Sequence, residues 1–217
     1  MMRIRWESIV FGISMLLAIP PAGVRAQEPR LGGRLPEAAR TQVEEILNAA
    51  RADGLPTDLL VTRALEGAAK GAPSQVIVAA VVRLREELRT ARAALGETAS
   101  PAELSAGASA LRAGATADAL ARLRRLRPTQ PLTVPAAVLA DLVATGVPVD
   151  TAISAVLALA ANAGDADYVA FRRNVQRDVA LGASPSAALG VRLRAVEDLA
   201  SPGQSTGTAR GPRRQKP

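Results

Sequence analysis

Ile77, Val81, Leu84, Leu88, Ala91 and Leu95 follow one another at steps of four, three, four, three and four residues. That spacing gathers six apolar side chains into one stripe down an α-helix. The stripe must be covered, so the chain has to supply other helices to pack against it. Gly71 fits the left-handed residue that ends the preceding helix, Ser74 fits an N-cap, and Gly96 fits the closing residue. From Val76 to Val82 the run is apolar on every side, which predicts burial all round in the first two turns. The second half is Arg-rich and reads as surface. There Glu86 and Glu87 resemble a carboxylate pair for acid/base chemistry. Arg83 and Arg89 stand at the spacings of exposed helix ion pairs, however, and predict a solvated charged face.

The rest of the chain repeats the helical pattern at short intervals. Pro36 opens a helix to about Arg51, with Ala39, Val43, Ile46, Leu47 and Ala50 on its apolar side. A second helix presents Leu60, Val61, Ala64, Leu65 and Ala68. Beyond Leu95, Ser100-Pro101-Ala102-Glu103 forms a capping box whose helix shows Leu104, Ala108 and Leu111. Leu120, Leu123 and Leu126 mark the next helix, stopped before Pro128, and Val138, Leu139, Leu142 and Val143 mark another. Val149 to Ala163, Ala166 to Leu181 and Pro185 to Ala200 complete the set. The predicted fold is all-α, an array of about nine short helices over residues 36–200, either solenoid-like or a compact bundle.

The helix starts resemble one another. Gly54-Leu-Pro-Thr-Asp58, Gly114-Ala-Thr-Ala-Asp118 and Gly146-Val-Pro-Val-Asp150 share a glycine, an apolar residue and an aspartate, and Gly71-Ala-Pro-Ser-Gln75 is a looser copy. Gly114 and Gly146 are 32 residues apart, close to the ~34-residue period of helix-pair solenoids. This predicts a weak internal repeat of helical hairpins. The tetratricopeptide pattern of Trp, Leu-Gly, Tyr and Phe is missing. Each aspartate falls in a first helical turn, where free N–H groups and the dipole stabilise a carboxylate by ~0.3–1 kcal/mol. Capping therefore accounts for them without a metal.

Both ends differ from this body. Arg3 and Arg5, the apolar run Ile9 to Ile19, the Pro20-Pro21 break and Val24-Arg25-Ala26 have the order of a secretory signal peptide cleaved after Ala26. Its apolar core is shorter than the ~20 residues that span a bilayer. Residues 27–35 read as a Gly, Pro and Arg linker, and residues 201–217 as a disordered basic tail carrying Arg210, Arg213, Arg214 and Lys216. The whole chain has a formal net charge of +7, but residues 27–200 hold 20 bases against 19 acids. The basicity is thus mostly a tail property, and no nucleic-acid partner is expected. Abundant Ala, with Lys70 and Lys216 as the only lysines, points to a bacterial source with a GC-rich genome.

Composition limits the chemistry. The chain contains no His and no Cys, which removes His- or Cys-based triads, imidazole or thiolate metal sites, and disulfides. Trp6 lies in the signal region. Beyond it only Tyr168 and Phe171 are aromatic, too few for a sugar-stacking cleft or a base-stacking platform, and they read as core beside Val175 and Val179 with the Tyr hydroxyl at the surface. Asn162, Asp165 and Asp167 lack the further ligands of a calcium loop, and Asp165 reads as an N-cap. No cofactor and no mature transmembrane span are expected. Arg122, Arg124, Arg125 and Arg127 form the densest basic cluster, a candidate contact for an anionic partner together with the tail. The alternative is a solvated face with Leu120, Leu123 and Leu126 turned inward.

Together these features predict an exported protein, periplasmic or secreted. Its helix array would act as a non-enzymatic structural or interaction module for another envelope protein or peptide. Two other classes compete. One is a helical hydrolase with a carboxylate from among Glu37, Glu44, Glu45, Glu66, Glu103 and Glu197 as general acid or base, which requires a closed pocket and a raised pKa. The other is a binder of anionic lipid or envelope polymer through the arginine clusters.

Overall fold

A computed structural model describes residues 28–200 of the chain, with the side chains of 197–200 left aside. The described residues contain nine α-helices: α1 Glu37–Ala52, α2 Thr57–Ala69, α3 Ser74–Leu95, α4 Pro101–Ala113, α5 Ala117–Leu126, α6 Thr133–Ala144, α7 Val149–Leu159, α8 Asp165–Ala180 and α9 Pro185–Ala200. The signal-peptide and tail assignments lie outside them. The central stripe is as its spacing requires, since Ile77, Val81, Leu84, Leu88, Ala91 and Leu95 are the buried residues of α3. Among the described residues no helix is long and apolar enough to cross a membrane.

The stripe is covered from four directions, because α1, α2, α4 and α5 all pack against α3. Beyond it the packing follows two successions. α4, α6 and α8 touch in turn, and so do α3, α5, α7 and α9, while α3–α4, α6–α7 and α8–α9 contacts join the two. Alanine permits close approach of the helices, and Ala106, Ala108, Ala110, Ala136, Ala152 and Ala155 are all buried.

The shared glycine-apolar pair has a definite backbone role. At Gly146, φ is +97°; its N–H donates to the Val143 carbonyl at 2.9 Å and the Val147 N–H to the Leu142 carbonyl at 3.1 Å. This is the Schellman closure, in which glycine takes the left-handed conformation and the following apolar side chain turns into the core. Val147 is buried accordingly, as is Leu55 after Gly54, where the Leu55 N–H reaches the Ala50 carbonyl at 2.9 Å. The starts differ from expectation. Pro56, Pro73 and Pro148 occupy the N-cap positions without a side-chain cap bond, so Ser74 is the first helical residue and not the cap. Proline supplies the extended backbone that precedes a helix and moves the polar residue one place inward. Asp58, Asp118 and Asp150 do lie in first turns. Gly164, rather than Asp165, is the N-cap of α8.

Other departures have packing causes. The supposed linker joins the core: Leu31 and Leu35 are buried, and a 3-10 turn over Pro29–Leu31 packs on α2. Val76 and Val82 are 55% and 44% exposed, so the start of α3 is not buried all round. Its four covering helices reach the stripe and leave the face of Val76, Ala79 and Val82 open. α7 stops at Leu159, four residues early, where the Ala163 N–H turns back to the Leu159 carbonyl at 2.9 Å.

Gly107 permits a close α3–α4 approach. A Cβ there would stand 3.1 Å from both the Ala91 Cβ and the Leu95 Cδ1. Leu is a better helix former than Gly by roughly 0.5–1 kcal/mol, so any loss in Gly107→Leu reports packing. Urea unfolding should show destabilisation of about 1–3 kcal/mol or more, and an unchanged midpoint would contradict the close α3–α4 contact.

Candidate functional site

The basic cluster of α5 is divided by the helix it lies on. Arg122 and Arg125 are exposed, and Arg125 stands 3.8 Å from Asp118. Arg124 and Arg127 share the inward face with Leu120 and Leu123, at steps of three and four, and bond within the fold. Leu126, expected to turn inward, is 47% exposed because Arg127 takes the buried place in the last turn. Arg124 donates to the Leu95 carbonyl at 3.2 Å and the Gln130 carbonyl at 3.1 Å, and pairs with Glu103 at 2.6 Å. Arg127 donates to the Ala163 carbonyl at 2.9 Å and the Asp165 carboxylate at 3.1 Å, and its guanidinium lies 5.4 Å from the Tyr168 ring centroid. Such a cation–π contact adds ~0.5–2 kcal/mol according to its burial. Two of the four arginines are therefore held within the fold, and the tail bases Arg210, Arg213, Arg214 and Lys216 lie outside the described residues.

Glu103 is the buried carboxylate of the described chain, and its surroundings decide its chemistry. Ser100 and Glu103 form the expected capping box, with the Ser100 N–H donating to Glu103 Oε2 at 2.9 Å and the Glu103 N–H to Ser100 Oγ at 3.2 Å. Oε1 accepts from the Leu132 N–H at 3.0 Å and from Arg124. Burial pushes the Glu103 pKa up, but these backbone N–H groups and the guanidinium outweigh it and hold the carboxyl down at about 2. Glu103 is thus a fixed anion, opposite to the raised pKa a general acid needs. Glu37, Glu45 and Glu66 are exposed and Glu44 is half-buried on α1. The Glu197 side chain lies outside the described residues.

The remaining candidates also have local partners. Asp165 pairs with Arg127, and Asp167 accepts from the Gly164 N–H at 2.8 Å. Among the described residues no group of three or more Asp and Glu side chains could hold a metal ion. Tyr168 is fully buried and its hydroxyl donates to the Val156 carbonyl at 2.9 Å, rather than meeting solvent. Burial raises its pKa to about 12. The Glu86–Glu87 pair divides. Glu86 takes Arg89 at 2.9 Å on the surface, whereas the Glu87 side chain is 11% exposed and accepts from Arg83 of α3 and Arg112 of α4. It joins two helices and is not part of a solvated face.

Beside that joint lies a groove that no single motif announces. Its lining is Leu59, Thr62, Arg63 and Glu66 of α2, Leu84 of α3, and Ser105, Ser109 and Arg112 of α4, around a cavity of about 160 Å³. The lining sets two leucines among three hydroxyls, two guanidiniums and the Glu66 carboxylate. Ser105, Ser109 and Arg112 follow at steps of four and three, a polar stripe on α4 that the sequence carries but whose partner on α2 is set by folding. No family model, curated protein or solved structure matches this chain.

Two titrations check these assignments. Because the folded pKa of Glu103 lies below the ordinary 4.5, its ionised form contributes stability above that value that is lost as pH falls towards 2. Glu103→Gln should lower stability at pH 7 by about 2–3 kcal/mol, with the gap closing by about pH 2. A pH-independent gap in urea unfolding would remove the fixed anion. Tyr168 is the single tyrosine of the chain, so phenolate absorbance reads it alone. In the folded protein it should ionise near pH 12, and stability should fall as pH rises from the ordinary 10.0 to about 12. Ionisation near the ordinary value of 10 with the fold intact would place the hydroxyl in water.

Proposed function

We propose that this chain is an exported protein of the bacterial envelope whose helix array binds another protein or a peptide and does no covalent chemistry of its own. The observation that carries the proposal is the α2–α4 groove. It combines two leucines with hydroxyls, guanidiniums and the Glu66 carboxylate, and opens to solvent beside the Glu87–Arg112 joint. Such a surface offers shape and charge to a side chain of a partner. The arginines of α5 support the reading by subtraction, since Arg124 and Arg127 are occupied within the fold and leave only Arg122 and Arg125 of that cluster for an anionic surface.

The array is read as helical hairpins repeated along one direction. Four similar Gly-apolar turns and the two successions of helix contacts support that reading. Stacked hairpins of this kind produce extended grooves with few special residues. Residues 1–26 would direct export, to the periplasm or beyond it. The four bases of residues 201–217 would add weak, salt-screened attachment to anionic envelope components.

In-cell crosslinking followed by affinity capture tests the proposal with three chains: full length, ending at Ala200, and Ser109→Trp. Ser109 is exposed, so Trp there fills the groove without entering the core. One discrete polypeptide should be recovered from the first two and reduced about tenfold with the third. Recovery of only salt-sensitive material that disappears with the tail would overturn the reading.

A further inference from the structure

The N-terminal turn is held to the body from its first described residue. Glu28 accepts from Arg30 at 2.8 Å on one carboxylate oxygen and from Arg51 at 3.3 Å on the other, and its side chain is 13% exposed. Pro29 opens the 3-10 turn, and Leu31 and Leu35 are buried. Full burial of a leucine contributes ~1.5–3 kcal/mol, so the fold draws on the chain from residue 28 onwards. A cut at Gly32 or Gly33 would discard Leu31. A cut after Ala26, with Val24 and Ala26 at the third and first places before the break, keeps the whole turn and makes Gln27 the first residue. Gln27 itself lies outside the described residues; its bonded neighbour Glu28 does not.

An N-terminal glutamine carries both partners of a ring closure. Its α-amino group has an ordinary pKa of ~7.7–8.0 and is in part neutral and nucleophilic at pH 7. The α-nitrogen attacks the side-chain amide carbon, Cδ, and a five-membered lactam forms. The bond from Cδ to Nε2 breaks, and that nitrogen leaves as ammonia with the proton given up by the amine. Nothing is oxidised or reduced, and no second substrate enters. The charges nearby favour the closed form. Glu28 and Asp58 stand against Arg30 and Arg51 in one connected set of ion pairs, two acids to two bases. Both Glu28 oxygens are taken. An ammonium on the preceding residue would add a third positive charge to that balance, and the lactam adds none.

Resting on the reading of residues 1–26 as an export leader, we propose that Gln27 is a modification site: cleavage after Ala26 exposes it, and it closes to pyroglutamate. The exported chain then begins with an uncharged ring one residue before the anchored Glu28. The ring also removes the free amine that an aminopeptidase requires. It thereby guards a turn whose loss would uncover Leu31.

Mass spectrometry of the chain expressed at full length and recovered from the bacterial envelope fraction tests this. Primary amines are reductively dimethylated at harvest, before digestion, so that any open N-terminus is captured as it stands. The intact chain should carry label on two amines, Lys70 and Lys216. Its tryptic peptide running from residue 27 to Arg30 should be unlabelled and lighter by one ammonia. Gln27→Ala cannot close the ring and should carry a third label, at its N-terminus. A native chain that begins at Gln27 and carries that third label overturns the proposal while leaving the leader in place. A chain that begins at any other residue overturns it together with the leader, and the intact mass tells the two failures apart.

Discussion

The Glu103 carboxylate holds together the place where the first half of the molecule turns into the second. It caps α4 at Ser100, receives Arg124 from α5 and takes the Leu132 N–H at the entry to α6. Arg124 then reaches the Leu95 carbonyl at the end of α3. Four helix ends meet through one ion pair and its hydrogen bonds. Taking a carboxylate out of water costs several kcal/mol unless its lone pairs are satisfied, and here three N–H donors of the fold do so. The segment from Arg127 to Leu132 contains two prolines and no helical turn of its own, so this network sets its course.

Arginine performs the same task at other turns. Arg92 of α3 donates to the Gly54 carbonyl at 2.9 Å and Arg85 pairs with Asp53 at 2.7 Å, fixing the α1–α2 turn. Arg127 fixes the α7–α8 turn through Ala163 and Asp165. Arg192 of α9 binds Asp178 of α8 through two bonds of 2.6 and 2.7 Å. The planar guanidinium can meet a carboxylate and several carbonyls together, which lysine's point charge does not do. A body with almost no lysine therefore has much of its formal positive charge tied to turns and neighbouring helices.

Much of the architecture was legible in the chain. The α3 stripe, the capping box at Ser100 and the glycine closures each follow from residues within one or two turns of each other. The candidate site was not legible to the same degree. Arg124 and Arg127 read as surface charge because a local count cannot see that their face of α5 meets a carboxylate 21 residues before Arg124 and a carbonyl 36 residues after Arg127. Glu87 read as one half of a helix-surface pair because Arg83 lies four residues away, whereas Arg112 comes from another helix. The burial of Leu31 escaped notice for a related reason: a single apolar residue has no period.

The sequence by itself determined the helices, their apolar stripes, the left-handed turns and the absence of His and Cys chemistry. These depend on backbone sterics, short-range periodicity and composition, all of which are local. Tertiary structure alone decided which charges are buried, which face of α3 remains open at Val76 and Val82, and which side chains meet across the α2–α4 groove. Those outcomes depend on which helices come into contact, and the energies involved arise only when groups distant in the chain leave water together.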